Sequence, residues 1–305
     1  MKIVVVYALS CAMMIGFAGN AVAQGSETLG FGRFANNDAW GDGDDRWRTG
    51  GYSVSWMRGQ GWSGSLPEMP GQIIEFRFRA DVISPVDLTM PAAPERLYAG
   101  TLSAGAHLHF GWRGYEVAAG ADILAIGEQT GLSSFQSSLH DQFGFPDVEI
   151  SGYEVDDQFL LHATGEAGRT FDLGPVNARP FVEIQAGVET LARAGVDLTF
   201  GAFGEGALLV RDVSTGQRYI AIENDTPSGL SFVLGGDIAY VADSFYLPSS
   251  EGFELEDTRY RLRAGVNSDF GVFASGFYGL TYLSEEFEGQ SEGQLVGSIN
   301  IRFEF

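Results

Sequence analysis

Cysteine is almost absent: Cys11 is the one cysteine in 305 residues, so no disulfide framework is available. Basic residues are scarce as well. Eighteen Lys and Arg against 40 Asp and Glu give a formal net charge of −22. That excludes nucleic acid as a partner, because a phosphate-binding surface would be basic. On a membrane surface already rich in anionic lipid, such acidity suggests that divalent cations bridge the two. Long apolar runs are missing beyond the N-terminus, where none approaches the roughly 18 to 20 continuous residues of a transmembrane helix. Proline is rare, at 10, whereas glycine reaches 42 and aromatics 13%.

The first residues, MKIVVVYALSCAMMIGFAGNAVAQ, carry one Lys, an apolar run to about Phe17, and Ala21-Val22-Ala23 before Gln24. This reads as a secretory signal peptide over residues 1–23 with an A-x-A cleavage site. Cys11 lies inside it, so the mature chain, 24–305, has no cysteine. Export without disulfides fits a bacterial envelope protein.

The remaining apolar residues alternate. In LVGSINIRFEF, Ile299, Ile301, Phe303 and Phe305 share one face, and Ser298, Asn300, Arg302 and Glu304 the other. Such a period of two fits either a half-buried strand of a soluble sandwich or a barrel strand whose polar face lines the lumen. The terminal Phe favours the barrel, since outer-membrane barrels commonly end in an aromatic. Similar segments lie at 28–36, 51–59, 72–84, 96–110, 115–127, 158–168, 181–189, 194–201, 230–242, 259–268 and 272–283. Together they make about twelve strands, each long enough to cross a bilayer when tilted. In lipid only a closed barrel satisfies a sheet's backbone. The expected fold is all-β, a transmembrane antiparallel up-and-down barrel with one short helix in an extracellular loop, in the outer membrane of a Gram-negative bacterium.

With both termini periplasmic, segments 37–50, 85–95 and 128–157 emerge outside. Short links such as 111–114 and 269–271 fall in the periplasm, as barrels prefer. The same count puts the long segment 202–228 in the periplasm, and nothing in the sequence explains its length. The first external segment, FANNDAWGDGDDRWRTGG, has the short oxygen ligands and curling backbone that calcium needs. It lacks EF-hand spacing and reads equally as a solvated acidic turn. The third contains SSFQSSLHDQFG, a short helix carrying His140.

These segments together resemble the lipid A 3′-O-deacylase (LpxR) family. The resemblance rests on Asn37-Asp38 ending the first strand, then Asp45, Arg46, Thr49 and Gly51. Ser84-Pro85 and Arg96, Tyr98, Ala99 and Gly100 follow around the second external segment, and Gln136 and His140 lie on the helix. The ordered set spans residues 28 to about 168. It implies a calcium-dependent barrel of twelve strands that hydrolyses the ester linking the 3′ acyl chains to lipid A. His140 would be the general base that takes a proton from water, which suits an imidazole at neutral pH. Asp38 would ligate Ca2+ or orient the imidazole, Asn37 would donate to the oxyanion, and Thr49 would support them. Gln136, Asp45, Arg46, Arg96 and Tyr98 would serve as substrate or supporting residues. The implied partner is lipopolysaccharide in the outer leaflet, met by a monomer.

The chain departs from the family pattern in three places. Pro146 follows the helix where a carboxylate is common, Glu95 precedes Arg96, and the second loop shows no clear basic residue. The competing readings are a non-catalytic barrel, either a small pore or a structural protein, and an esterase with a serine nucleophile. No G-x-S-x-G supports the latter. His107 and His109 form an H-x-H pair far from the cluster, His162 reads as lumenal or packed, and the five tryptophans read as interface belts.

Overall fold

Alternating side chains leave one face of every strand apolar, and lipid is the only solvent that such a face can meet while the other faces a polar interior. The computed structural model describes residues 25–89, 91, 96–145, 147–223, 229–269 and 274–303. The expected signal peptide, most of the 269–271 link and the terminal Phe305 lie outside them.

Twelve strands form the wall. They are β1 (Glu27–Asn37), β2 (Trp47–Gly59), β3 (Ile73–Ser84), β4 (Ala99–Trp112), β5 (Tyr115–Ile126), β6 (Gln158–Gly168), β8 (Asn177–Ala186), β9 (Glu189–Phe200), β12 (Leu230–Ser244), β13 (Thr258–Asp269), β14 (Ala274–Leu283) and β15 (Gln294–Phe303). A two-residue strand, β7 (Phe171–Asp172), extends one periplasmic turn, and the one α-helix among the described residues, α1 (Leu132–Phe143), lies in the third external loop. Neighbours pair antiparallel in chain order, and β6 pairs with β8. The ring closes where β1 meets β15, through Ala35↔Ile299, Asn36↔Ser298 and Asn37↔Gly297.

The alternation in β13 shows the division. Arg259, Arg261 and Arg263 are buried inward, while Tyr260 and Leu262 stay exposed on the outer face at 42% and 57%. One expected strand, 181–189, is displaced: β8 starts at Asn177 and turns at residues 187–188, because Gly187 takes φ +135.

The long segment after β9 does not remain in the periplasm. Its hairpin, β10 (Leu208–Arg211) with β11 (Arg218–Ile222), folds back into the lumen. Tyr219 stacks on Phe34 at 4.9 Å and bonds Ser55 at 2.9 Å, and Asn36 donates to Asp212 at 3.4 Å. Phe34, Met57 and Ile73 of the wall thus share an apolar cluster with Leu208, Val210 and Ile220 of the hairpin. Glycine makes this approach possible, since a Cβ on Gly30 would sit 2.3 Å from the Ala221 carbonyl oxygen and one on Gly32 only 2.8 Å from the Tyr219 ring.

Around the hairpin, guanidinium and carboxylate groups pair densely. Arg211 reaches Glu166 at 2.7 Å and Asp197 at 2.8 Å, while Asp237 takes Arg261 at 3.0 Å and Arg193 at 3.1 Å. His107 and His109 face different acids, Asp122 at 3.1 Å and Glu75 at 2.8 Å, so they do not form a metal pair.

Candidate active site

The extracellular end of β1 sets the site. Asn37 caps a single 3-10 turn, Asp38–Trp40, and its Oδ1 accepts from the Ala39 amide at 2.8 Å. That bond fixes the carboxamide with Nδ2 directed across Gly50 of β2, 2.8 Å from where a Cβ there would stand. Asn36 points into the lumen toward Asp212, so the period of two turns Asn37 to the outer face of the wall.

Asp38 is fully buried. Its Oδ1 accepts from Ala39 N at 2.9 Å, and its Oδ2 from Arg46 N at 2.7 Å and Gln294 Nε2 at 3.2 Å. All three donors are uncharged. Burial raises the carboxyl from 3.8 to about 8, opposed by the Arg46 amide and reinforced by the charges of Asp45 and Asp42. The side chain therefore anchors the loop that delivers Asp45.

Asp45 meets the helix. Its carboxylate accepts from Gln136 Nε2 at 3.1 Å and lies 2.9 Å from His140 Nε2. Gln136 and His140 stand four residues apart, so they share one face of α1, and they are the buried residues of that helix. Behind them Tyr98, 1% exposed, donates its hydroxyl to Gln136 Oε1 at 3.0 Å. Burial pushes the Tyr98 phenol up, so it stays a donor. Backbone bonds to Tyr153 and Val155 hold Tyr98 in place. The result is one line of contacts, from Tyr98 through Gln136 and Asp45 to His140.

Thr49 and Ser84 lie beside this line, hydroxyl to hydroxyl at 2.5 Å, with Ser84 also donating to the Asp45 carbonyl at 3.4 Å. Ser84 has no bond to the imidazole here, so the arrangement is not that of an activated serine nucleophile. The expected contact between the imidazole and Asp38 is replaced by one with Asp45, because Asp38 is committed to backbone amides.

Strand parity places the wall residues of the cluster, Asn37, Ser84 and Tyr98, on the outer face. Arg79 and Asp81 point inward, so Val82 and Ser84 point out; Thr101 points inward, so Tyr98 and Gly100 point out. Helix α1 roofs this patch and packs on Gly100, where a Cβ would approach Leu132 Cβ to 3.0 Å. Leu88, Tyr98 and Ile150 seal it with Val82 and Val148. The aromatics Phe135, Phe143 and Phe145 remain exposed on and just after α1.

Two predicted residues serve elsewhere. Arg46 uses its guanidinium at the rim, with Asp44 and Glu292 both at 2.9 Å, and lies over Trp47. Arg96 is fully buried in the extracellular mouth of the lumen, where it pairs with Glu286 in a network that includes Arg48, Arg259 and Glu189. Sequence reasoning missed Gln294, whose amide also donates to the Arg46 carbonyl at 2.6 Å and accepts from Arg48 N at 3.0 Å. It lies at the start of the last strand, and no local pattern links it to β1.

The tryptophans divide. Trp40 and Trp112 are exposed, as belt residues are, but Trp62 donates to the Gly206 carbonyl at 2.7 Å. Trp47 is 2% exposed at φ +50, a strained value for a bulky residue, and among the described residues its indole N–H has no acceptor.

The carboxylate oxygens of Asp38 and Asp45 are of the type that suits a hard cation, but the groups that face them are N–H donors. Among the described residues, no group of three or more His, Cys, Asp or Glu is arranged to hold a metal.

No curated protein sequence is significantly similar to the chain. Among solved structures, LpxR from Salmonella typhimurium superposes with a TM-score of 0.73 at 17% identity, covering 92% of this chain and 100% of that one. The β domain of the Bordetella autotransporter BrkA follows at a TM-score of 0.45 and 12% identity, covering 90% of this chain and 100% of that one. The family described as "Outer membrane protein LpxR" matches residues 4–305. With a closed barrel of twelve strands and that match over nearly its whole length, the chain belongs to the LpxR family of outer-membrane proteins.

Proposed function

We propose that the protein is a hydrolase that removes the 3′-linked acyl group from lipid A in the outer leaflet. The contact between Asp45 and His140, at the extracellular end of the wall, carries this reading. Asp45 accepts from Nε2–H, which selects the tautomer with its lone pair on Nδ1. Nδ1 then takes a proton from water as the water oxygen attacks the ester carbonyl. The Asn37 amide donates to the resulting oxyanion, a role worth about 10²- to 10³-fold in rate. Collapse breaks the acyl–oxygen bond, and the imidazolium returns its proton to the sugar oxygen. The products are a carboxylic acid and a free 3′-hydroxyl.

Asp38 and Asp45 are the carboxylates that would hold Ca2+ here, Asp38 only through lone pairs left over by its N–H donors. A bound calcium would supply positive charge near the ester carbonyl and the lipid phosphate. A pore is less favoured, since a hairpin occupies the lumen.

Mass spectrometry of lipid A from cells expressing the protein tests this reading. The wild type should remove the 3′-linked acyl group, while His140→Ala, or the wild type with a calcium chelator, should not. Intact lipid A around a correctly inserted wild-type barrel would refute it.

A further inference from the structure

The lipid-facing wall breaks its own rule at one position. Among the described residues, the exposed charged side chains of the wall strands are Glu27, Arg33 and Asp243. Glu27 and Asp243 stand at or beside a strand end, but Arg33 lies inside β1, six residues from Glu27 and four from Asn37. Gly32 and Phe34 on either side of it are buried, and Phe34 packs in the lumen against the hairpin. Alternation therefore turns Arg33 outward. Its neighbours there are apolar. Val54 pairs with it across β2, and the next row toward the periplasm is the stacked pair of Phe31 and Trp56, 6.2 Å apart. Among the described residues, no carboxylate reaches its guanidinium.

A charge that faces hydrocarbon is costly, and an arginine reduces that cost by snorkelling, its stem along the wall and its head raised toward the headgroups. Upward, the next outward residue on β1 is only Ala35, and Asn37 follows, paired with Gly50. Arg33 thus stands under the site, roughly 13 Å along the strand from Asn37. The site itself is short of cations. Segments 85–95 and 128–157 contain no Lys or Arg. Arg46 is committed to Asp44 and Glu292, and Arg48 turns inward to Glu189 and Glu286. A phosphorylated glycolipid seated at Asn37 and His140 would meet one uncommitted guanidinium on the face of the wall that it approaches, and a guanidinium fork matches phosphate in two parallel hydrogen bonds.

We infer that Arg33 is a substrate-binding residue, which holds a phosphate of the glycolipid from the lipid side of the wall. The inference rests on the hydrolase reading above. The phosphate takes no part in ester cleavage and stays bound in ground state and transition state alike. Arg33 therefore lowers KM and leaves kcat alone.

The test uses full-length protein with calcium in micelles of an uncharged detergent, so that the substrate carries the only lipid phosphate. Two substrates are compared, bisphosphorylated lipid A and the same lipid stripped of its phosphates, and the released acid is counted by mass spectrometry. Each variant is first checked for the heat-modifiable mobility of a folded barrel. Arg33→Leu should raise KM for the phosphorylated lipid about tenfold and keep kcat within about twofold. Its KM for the stripped lipid should stay at the wild-type value. Arg33→Gln repeats the test if Arg33→Leu does not insert, and Arg33→Lys should recover part of the loss. Arg58→Leu, which removes a cation near the periplasmic end of β2, should behave as the wild type. A wild type that cleaves both lipids, with the ratio of their KM values unmoved by Arg33→Leu and Arg33→Gln, overturns the role of Arg33 alone. A wild type that cleaves neither lipid overturns the hydrolase reading and this role with it.

Discussion

The barrel holds acidic side chains in two regions, and their principal partners differ. In the lumen guanidinium is the recurrent partner: Asp237 contacts Arg193, Arg261 and Arg263, and Glu166 contacts Arg179 and Arg211, although Asp122 meets His107 and Asp212 meets Asn36 and Thr215. On the outer rim Asp38 meets two amides and a glutamine, and Asp45 a glutamine and an imidazole. Paired charge is a structural solution, since breaking a pair leaves an uncompensated ion. At the rim no guanidinium neutralises Asp38 or Asp45, which leaves their charge available to the imidazole and to a bound group.

The largest effect should come from the rim. Asp45→Asn keeps the shape but loses the charge that stabilises the imidazolium. Its kcat for acid release should drop about 10³-fold, with KM changing little. Next, Arg211→Met in the lumen should lower unfolding stability by about 3 kcal/mol, read from the urea midpoint. Hydrolysis per folded molecule should remain within about twofold. Equal losses of stability and activity in both variants would erase the distinction. Tyr98→Phe leaves Gln136 Oε1 short of a donor, a cost of about 1–3 kcal/mol. It should slow hydrolysis about tenfold, and a rate unchanged from wild type would remove Tyr98 from the positioning line.

The smallest effect concerns pH. The raised Asp38 pKa favours the folded state while the carboxyl is neutral. That stabilisation is complete below the ordinary value of 3.8 and is lost as pH rises through about 8. In chelator, the melting temperature should fall by a few degrees across the upper part of that window, and Asp38→Asn should flatten the trend. Calcium should restore the wild type at high pH.

The period of two made the barrel legible, because lipid imposes it on every strand. The rim cluster was legible through short motifs at strand ends, where Asn37, Thr49 and Tyr98 keep a fixed relation to the turn beside them. What stayed hidden depends on long-range register. Gln294 reaches Asp38 only because the last strand closes on the first. Arg96 resembles a site residue in sequence, yet the chain turns it into the lumen toward Glu286. Asp45 was visible, but its claim on His140 was not, since that requires knowing that Asp38 is consumed by its own loop. The hairpin had no signal beyond its length.

That hairpin also bears on how the barrel is assembled. The ladder joining β1 to β15 is short, three residue pairs among those described. Inside it, Asp212 takes Asn36 of β1, Gln217 donates to carbonyls of β13 and β14, and Glu223 pairs with Arg302 of β15. One segment from the middle of the chain thus touches both flanks of the closing seam. It splints the joint that would otherwise be the first to open.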